Sequence, residues 1–530
     1  MQSTTARLTD YSVSQGRVRP THSTAVGLAL YLAPMSRPTS TRLSKTRYCA
    51  GIQCVKQLWW RVHEPKAPEL IPDAALQAVF SRGHRVGELA RERFPGGVLI
   101  DGEHWAVKEK LEKTRRAIAS GAPAVFEAAF VENDVFVAVD VLERRERGWG
   151  FIEVKSTLDA KAQHIPDVAI QLHVLRAAGL EVNRAEVMHL NRECEFPDLS
   201  NLFAREDVTA QAEGLLPTVP GDIKRMQTAL AGELPVVEYG PHCTDPYDCP
   251  FISRCAPVLP KDHVSTLYRI GKRAATFVAD GISTITDLPA DLVLTPVIAR
   301  QIESIRTGQL VVAPGIGEAL AQIERPTAFL DFETIMPAVP VWPGCHPYEQ
   351  IAVQMSCHLV GADGEMKHLE FLAEGPRDPR AAIAEAVVSA CAGAKTVVAY
   401  NASFEKRCIE QLAEAVPAQR EALREVISRL IDLLPIVRDH VYHPEFGGSF
   451  SLKRVLPALV PGLGYADLDI GEGNAAAAIL ETLLLDEASM PNAEREKIRR
   501  QLLDYCGRDT LAMVKLYERL AATAAADPTS

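Results

Sequence analysis

The sequence predicts a mixed α/β protein with two successive α/β domains. Strand patterns alternate with amphipathic helical patterns twice along the chain, once before a cysteine-rich segment and once after it. Hydrophobic residues make up 47% of the 530 residues and charged residues 24%, which is typical of globular protein with more than one core. The sequence has no run of 18 or more apolar residues, so it predicts no membrane span.

The first 34 residues are polar apart from one short apolar patch at 25–33. We expect them to be disordered, or to precede a true start at Met35. A secretory signal is the alternative, but the patch lies late behind a long polar segment. We therefore expect a cytoplasmic protein, in which 11 cysteines do not form a disulfide framework.

The first domain is predicted to span residues 35–258, with the element order helix, three strands, helix, strand and helix. Its elements are predicted at 76–94, 106–120, 124–130, 135–143, 150–155, 167–180, 187–191 and 207–231. Turn residues at 133–134 and 147–148 separate the three strands. A small helical connector is expected at 259–320.

The second domain is predicted to span residues 321–525. Its strands are expected at 327–334, 350–359, 368–372 and 396–400, and its helices at 379–392, 403–414, 417–430 and 492–522. Strands and helices again alternate, so this half is also α/β.

Three charged residues in the first half have the spacing of a metal site. Asp140 ends one strand, and Glu153 and Lys155 lie two apart on the next, so both project from one face. Ile152 and Val154 are apolar and face the other way. Two carboxylates bind Mg²⁺ or Mn²⁺, and a lysine positions the attacking water. The alternative is an ordinary solvated hairpin.

With His84 on an upstream helix and Gln171 opening a downstream one, Asp140, Glu153 and Lys155 resemble the PD-(D/E)XK nuclease superfamily in its RecB-like branch. The resemblance implies that His84, Asp140 and Glu153 hold Mg²⁺ or Mn²⁺. It also implies catalytic roles for Lys155 and Gln171.

The resemblance to RecB-like nucleases covers roughly residues 40–256. Glu127 is a candidate further carboxylate, and Leu175 stands where the branch often has a tyrosine.

Three cysteines lie within 13 residues: Cys243, Cys249 and Cys255. Thiolates grouped in this way suit zinc or an iron–sulfur cluster. RecB-like nucleases often place one cysteine before the core and three after it, and this resemblance implies a [4Fe–4S] cluster with Cys54 as the fourth ligand. Cys49 is the rival for that position, and zinc is the alternative metal.

Asp331 and Glu333 lie two apart on strand 327–334, so their side chains share one face. Together with Glu405 in VVAYNASFE, and with Tyr505 and Asp509 in YCGRD, they resemble the motifs of DEDD-type 3′–5′ exonucleases. This resemblance implies a ribonuclease H-like fold whose four acids hold Mg²⁺ or Mn²⁺. Tyr505, on the same helical face as Asp509, would orient the attacking water. Ordinary surface charges are the alternative.

The two halves together resemble the domain-of-unknown-function 2779 family, over most of residues 40–520. The resemblance implies a metal-dependent nuclease whose partner is nucleic acid, with DNA favoured over RNA. An RNA-processing enzyme and a binding scaffold with a degenerate second site are the alternatives. Asp432 is a further candidate carboxylate. The net charge of −11 argues against a whole surface that binds nucleic acid electrostatically but permits a local basic groove.

Overall fold

Two separate mixed sheets with helices packed on them form the framework of the molecule. A computed structural model describes residues 41–103, 105–292, 294–470, 473–486 and 490–526. The expectations for residues 1–34 and Met35 lie outside these ranges. The described residues belong to one compact unit, residues 39–530. None of the described helices is long and apolar enough to cross a lipid bilayer.

Strands occupy the following ranges of the described chain: β1 (Leu43–Ser44), β2 (Val98–Leu99), β3 (Ala124–Glu132), β4 (Val135–Arg144), β5 (Trp149–Val154), β6 (Val182–Leu190), β7 (Phe203–Asp207), β8 (Val311–Val312), β9 (Thr327–Ile335), β10 (Ile351–Val360), β11 (Met366–Leu372), β12 (Thr396–Ala399), β13 (Leu430–Asp432) and β14 (Val441–Tyr442).

Helices occupy these ranges: α1 (Lys45–Gln53), α2 (Val55–His63), α3 (Ala74–Arg91), α4 (Val107–Ala119), α5 (Ile165–Ala177), α6 (Thr209–Leu215), α7 (Val219–Ala231), α8 (Ile252–Cys255), α9 (Arg273–Ala279), α10 (Pro296–Thr307), α11 (Ile316–Ala321), α12 (Arg380–Ala390), α13 (Ser403–Ala415), α14 (Arg420–Ser428), α15 (Leu433–His440), α16 (Leu452–Leu459), α17 (Gly473–Leu485) and α18 (Asn492–Ala526).

The mixed α/β prediction is confirmed, and the long predicted helices and strands are present within a few residues of the expected ends. Two predictions need correction. The segment 207–231 is not wholly helical, because strand β7 ends at Asp207 and two helices follow. The connector at 259–320 is also not purely helical, since β8 within it pairs with β14. Both strands are short, which leaves little periodicity in the sequence to indicate them.

The first sheet has the strand order β2-β3-β4-β5-β6-β7, with β1 pairing alongside β4. Strands β3, β4 and β5 are antiparallel neighbours, whereas β6 runs parallel to β5. A parallel neighbour requires a crossover, and α5 provides it. This helix is apolar on most sides and lies buried against the sheet, with Val168, Ile170 and Leu172 fully inaccessible.

The second sheet has the order β11-β10-β9-β12-β13. Strands β9, β10 and β11 are antiparallel, and β12 and β13 run parallel to β9. Leu330 and Phe332 pack with residues of α12, α13 and α14. Phe329 packs instead with residues of α18, and Ile335 packs with Leu502 and Tyr505 on that helix. Asp331 and Glu333 therefore project on the α18 side, as the period-two spacing predicts.

The segment after β9 joins the two sheets. Ala338 is buried in a cluster with Val86, Leu190 and Leu202, which belong to the first half of the chain. The Gly344 amide donates to the Phe196 carbonyl oxygen over 2.9 Å. The two predicted domains therefore share a packed interface.

Candidate functional site

The first site forms where β4 and β5 run side by side. An Asp140 oxygen accepts a 2.8 Å hydrogen bond from the Val154 amide, which holds the carboxylate against β5. The Glu153 side chain is almost wholly buried. Lys155 Nζ lies 2.7 Å from Glu153 Oε1 and 2.7 Å from Asp167 Oδ2. Asp140, Glu153 and Lys155 thus meet as predicted, and Asp167 joins them.

Two residues of this site, Asp167 and Lys45, were not predicted from the sequence. Asp167 lies on the first turn of α5, four residues before Gln171. Because residues four apart share a helix face, that spacing could have identified Asp167. Lys45 Nζ lies 3.3 Å from Asp140 Oδ1 and 3.0 Å from each Glu153 oxygen. Lys45 carries no spacing signal, since it lies far upstream of both acids.

Gln171 lies in the middle of α5 rather than at its opening, because the helix begins at Ile165. The expectation that Gln171 opens this helix was wrong. Its Nε2 donates to Glu153 Oε2 over 2.7 Å and to the Asp167 carbonyl oxygen over 3.1 Å. Gln171 is fully buried, and its Oε1 atom has no hydrogen-bond partner among the described residues.

His84 stands apart from this site. The residue is exposed on α3 and is not among the residues that line the cavity described below. Glu127 is closer, because its negative charge raises the pKa of Asp140. Its φ of 55° lies in the left-handed region, and it is skipped in the ladder between β3 and β4. The register is the same on both sides of Glu127, so this residue stands opposite Asp140 across the two strands.

A cavity of about 410 Å³ opens over the first site. Its walls include polar groups from α1, β5, α5 and residues 243–255, which we call the cysteine-rich loop. These residues are Lys45, Cys49, Glu153, Lys155, Asp167 and Tyr247. Tyr247 is 53% exposed, and its hydroxyl accepts a hydrogen bond from Gln163 over 3.1 Å. The cavity therefore has a charged floor and an accessible aromatic ring on one wall.

The charges of the first site balance closely. Burial raises the pKa of Asp140 to about 7, and the charge of Glu153 adds to the effect. Burial also opposes ionisation of Glu153, but Lys155 and Lys45 outweigh it and lower the pKa of that carboxyl. Both lysines have raised pKa values, since the charges of neighbouring acids outweigh the effect of burial. Glu153 and the two lysines are therefore ionised at neutral pH.

The four predicted cluster cysteines lie near one another. Burial raises the pKa of the Cys249 thiol, and the charges of Cys54, Cys243 and Cys255 raise it further. The Cys249 amide donates to the Cys243 carbonyl oxygen over 2.8 Å, which folds the loop into a tight turn. Cys49 instead lines the cavity of the first site.

Helices α1 and α2 are tied to the cysteine-rich loop by side-chain contacts. Gln53 Nε2 donates to the Tyr247 carbonyl oxygen over 2.6 Å. Arg254 pairs with Glu64 and Glu69 at 2.6 and 2.7 Å. These contacts bring segments almost 190 residues apart together around Cys54.

The second site lies between β9 and α18. Asp331, Glu333 and Asp509 each offer a carboxylate oxygen, and these oxygens lie within 4.8 Å of one another. Within the described ranges, no other set of three acidic, histidine or cysteine ligands is that close. The Tyr465 hydroxyl donates to Asp509, and the Cys506 thiol lies 3.6 Å from Asp331 Oδ2.

Glu405 completes the acidic group from the first turn of α13. It is buried close to Asp331, and its Oε2 atom has no hydrogen-bond partner among the described residues. Asp432 caps the N-terminus of α15 and holds the backbone at Asn401. Its carboxylate accepts hydrogen bonds from the Asn401 and Leu434 amides at 2.9 and 3.0 Å. Its charge nevertheless contributes to the raised pKa of Glu405.

Tyr505 is buried beside the acids, one helical turn before Asp509. The Lys453 ammonium lies 5.1 Å from the centre of the Tyr505 ring and 5.5 Å from that of Tyr465. Lys453 lies in the segment 431–457, which resembles the DEDD-type exonuclease superfamily, but neither Lys453 nor Tyr465 was predicted as a site residue. They add a cation and a hydroxyl donor to the site.

Burial raises the pKa of every acid in this group. Asp331 reaches about 8, with the charge of Asp509 as the next cause. Glu405 reaches about 9, with the charge of Asp331 as the next cause. Asp509 reaches about 6, and the pKa of Glu333 is raised well above its ordinary range. Four crowded carboxyl groups of this kind fit a divalent cation, which would supply the missing positive charge.

Similar proteins come from mycoplasmas. The chain is 22% identical over 230 residues to "Uncharacterized protein UU173" of Ureaplasma parvum, covering 39% of this chain and 33% of that protein. It is 24% identical over 217 residues to "Uncharacterized protein MG366" of Mycoplasma genitalium, covering 37% and 32%. A homologue in Mycoplasma pneumoniae is 25% identical over 217 residues. The matched segment thus spans about a third of each relative's length.

A protein-family match falls on the second half. The matched residues begin with β9, which carries Asp331 and Glu333, and they include Glu405 and Asp432, whereas Asp509 lies beyond them. The second sheet and most acids of the second site thus lie within the matched residues. Residues 328–451 match the family described as "Domain of unknown function (DUF2779)".

Proposed function

We propose that this protein is a metal-dependent nuclease with two phosphodiesterase sites. The observation that carries the proposal is the convergence of Asp331, Glu333 and Asp509, from β9 and α18, with Glu405 of α13 beside them. Acids gathered at this density favour divalent cations, and phosphodiester hydrolysis is one of the reactions that carboxylate metal sites of this kind perform.

The topology of the second sheet supports the same assignment. Three antiparallel strands followed by two parallel ones, with the first strand in the centre, is the arrangement expected of a ribonuclease H-like fold. The acids lie on that central strand and on the helices beside it. This placement supports DEDD-type exonuclease chemistry, which acts on a 3′ end.

We assign different roles to the acids, the lysine and the two tyrosines of the second site. Asp331, Glu333, Glu405 and Asp509 would hold Mg²⁺ or Mn²⁺, which supplies charge stabilisation for the attacking and leaving oxygens. The Lys453 ammonium would offset charge on the phosphodiester. Tyr465 holds the Asp509 carboxylate by a hydrogen bond, and Tyr505 fits the task of orienting the attacking water.

The first site supports a second hydrolytic centre of the PD-(D/E)XK type. Asp140 and Glu153 would hold the divalent ion, and Lys155 would position the attacking water. Gln171 orients Glu153 through its amide. The exposed Tyr247 ring gives the cavity a surface on which a nucleobase would stack, so nucleic acid fits as the substrate.

The cysteines would hold a [4Fe–4S] cluster that joins the beginning of the first domain to its end. A tetrahedral zinc site, with Zn–S bonds of about 2.3 Å, requires sulfurs about 3.8 Å apart. A single zinc ion held by the same four cysteines is the alternative, and metal analysis of the purified protein distinguishes the two.

A nuclease assay on matched variants tests the proposal. Labelled single-stranded DNA and RNA would be incubated in Mg²⁺ or Mn²⁺ with the parent chain, Lys155→Ala, Asp331→Ala and the double variant. Each single variant should lose one cleavage pattern, and the double variant should lose both. Lys108→Ala and Asp504→Ala are controls, because both residues are exposed outside the sites.

The products identify the activity. Release of nucleotides from a 3′ end that survives Lys155→Ala and disappears in Asp331→Ala supports the second site. Cleavage of RNA alone would replace the DNA assignment with RNA processing. A parent chain without cleavage of either polymer in either metal would contradict the proposal and leave a binding scaffold.

A further inference from the structure

We propose that the Lys45 ammonium is the resident cation of the first site and leaves its place when a divalent ion binds. The inference rests on the proposed function, because it deepens the account of how the first site takes its metal. Lys45 would then be a positioning residue that exchanges with the ion and turns toward the substrate phosphate.

The position of the ammonium is that of a bound cation. Lys45 Nζ contacts one Asp140 oxygen and both Glu153 oxygens at 3.0–3.3 Å. Asp140 and Glu153 are the two acids expected to bind the divalent ion. A lysine that fills the space between them excludes an ion from the same oxygens.

Repulsion makes simultaneous occupancy of the same oxygens unfavourable. Lys45 and Lys155 face four acids, Asp140, Glu153, Asp167 and Glu127, so the sum with all six ionised is −2 and a divalent ion would neutralise it. The conflict is local, because an ion bound by Asp140 and Glu153 would lie against the Lys45 ammonium, which contacts the same oxygens.

Lys45 has a path by which to leave. The residue is the first of α1, and Ser44 caps this helix by accepting the Arg47 amide at 3.2 Å. The backbone is therefore held, and movement of the ammonium would come from rotation of the side chain. Lys45 lines the cavity of about 410 Å³, and its side chain is 24% exposed, so the ammonium can swing into the space that a substrate phosphate would enter.

The second site provides the contrast. There the Lys453 ammonium lies over two aromatic rings, and the oxygens of Asp331, Glu333 and Asp509 already lie within 4.8 Å of one another. The second site is thus arranged to receive an ion directly. At the first site the ion must compete with Lys45, so metal and phosphate should bind cooperatively.

Mn²⁺ binding to the full chain tests this inference. Asp331→Ala is introduced throughout to silence the second site, and free Mn²⁺ is followed by electron paramagnetic resonance. Lys45→Met should bind Mn²⁺ at the first site about tenfold more tightly than the Lys45 parent, because the site no longer has to release its own cation. Lys45→Arg should retain weak binding, and Lys108→Met should match the parent.

The outcomes separate the inference from the function on which it rests. Equal or weaker Mn²⁺ binding by Lys45→Met overturns the resident-cation role while leaving a metal site at Asp140 and Glu153. Absence of Mn²⁺ binding in all variants, including Lys45→Met, overturns the resident-cation role of Lys45 and also the metal site at Asp140 and Glu153. Lys45→Gln is the second neutral variant, and thermal melting of each protein confirms that it is folded.

Discussion

At the scale of single residues, the second site concentrates carboxyl groups where water is scarce. Glu405 is buried beside the half-buried Asp331, and the half-buried Glu333 and Asp509 lie next to them. Burial disfavours the charged form of each group, and the charges of neighbouring acids add to this effect at Asp331, Glu333 and Glu405, so their pKa values are raised. Their protonation therefore links the stability of the metal-free protein to pH.

We predict that Asp331→Asn stabilises the metal-free protein selectively at alkaline pH. The unfolded chain releases the proton of this carboxyl at a lower pH than the folded protein does. The free energy of unfolding therefore falls as the pH rises from the unfolded-state pKa to the folded-state pKa, and it stays low above that range. The penalty from Asp331 should grow from about pH 4, the ordinary range of Asp, to about 8. Thermal melting with a chelator from pH 5 to about 9 should show the variant gaining on the parent.

Two controls accompany the Asp331→Asn experiment. Glu414→Gln removes an exposed acid of the same domain and should melt in parallel with the parent at every pH. Added Mn²⁺ should raise the melting temperature of the parent more than that of Asp331→Asn, which keeps only the first site. A constant difference between Asp331→Asn and the parent across the pH range would contradict the assignment of Asp331 as a buried, proton-retaining group.

We predict that Lys155→Met destabilises the first domain as well as stopping its chemistry. Lys155 contacts Glu153 and Asp167 at 2.7 Å, so its removal leaves two buried acids with less compensation. The free energy of unfolding should fall by roughly 1–3 kcal/mol, because loss of one partner of a buried ion pair is costly and the lysine is partly solvated.

Urea unfolding measures the free energy of unfolding of the parent, of Lys155→Met, of Glu153→Gln and of the double variant Lys155→Met/Glu153→Gln. Neutralising Glu153 removes the uncompensated charge, so the double variant should recover part of the lost stability. If the double variant is less stable than Lys155→Met by the full effect of Glu153→Gln, then Lys155 and Glu153 are not coupled. Lys108→Met is the matched control on an exposed helix position.

At the scale of elements, the α1–α2 pair and the cysteine-rich loop act as one wall of the first site. Cys54 joins the two helices, and Gln53 holds the loop through the Tyr247 carbonyl oxygen. The same loop places the Tyr247 ring at the cavity. A metal cluster bound by the cysteines would therefore stabilise the wall on which a nucleobase is expected to stack.

We predict that Cys54→Ser loses the cluster and Cys49→Ser retains it. Cys54 lies with Cys243, Cys249 and Cys255, whereas Cys49 lines the cavity of the first site. Iron content and visible absorption of anaerobically purified protein measure the difference. Equal iron in both variants, or one zinc ion per chain in the parent, would contradict the cluster assignment.

At the scale of the whole molecule, the two sheets are not independent. The segment after β9 inserts Ala338 among Val86, Leu190 and Leu202, and the Tyr348 hydroxyl donates to the Ser156 carbonyl oxygen. Ser156 follows Lys155 of the first site, and the segment itself follows Glu333 of the second. The same segment thus connects the strand ends of both sites.

We predict that the described halves unfold in one cooperative calorimetric transition. Burial of an apolar cluster across the interface couples their stabilities. Ala338→Asp should separate the transition into two or lower its midpoint by several degrees, since it places an unpaired charge in that cluster. Ala362→Asp, on an exposed turn, is the control. Two resolved transitions in the parent chain would contradict this coupling.

The sequence by itself determined the features that depend on local geometry. Alternation along a strand places Asp331 and Glu333 on one face of that strand. Tyr505 and Asp509 are four residues apart, so helical periodicity places them on one face of their helix. The same reasoning indicated the α/β class and most long elements. These predictions succeeded because strand and helix periods are properties of the backbone and do not depend on the rest of the fold.

Only the tertiary structure decided which distant segments meet. Lys45 and Cys54 reach their partners across roughly a hundred residues or more, and no spacing along the chain encodes such contacts. His84 shows the same limit, because α3 packs through Val86 and Ala90, and a residue two positions before Val86 points about 200° away from it. Packing of helices on sheets selects the inward faces, and that selection depends on long-range burial of apolar surface.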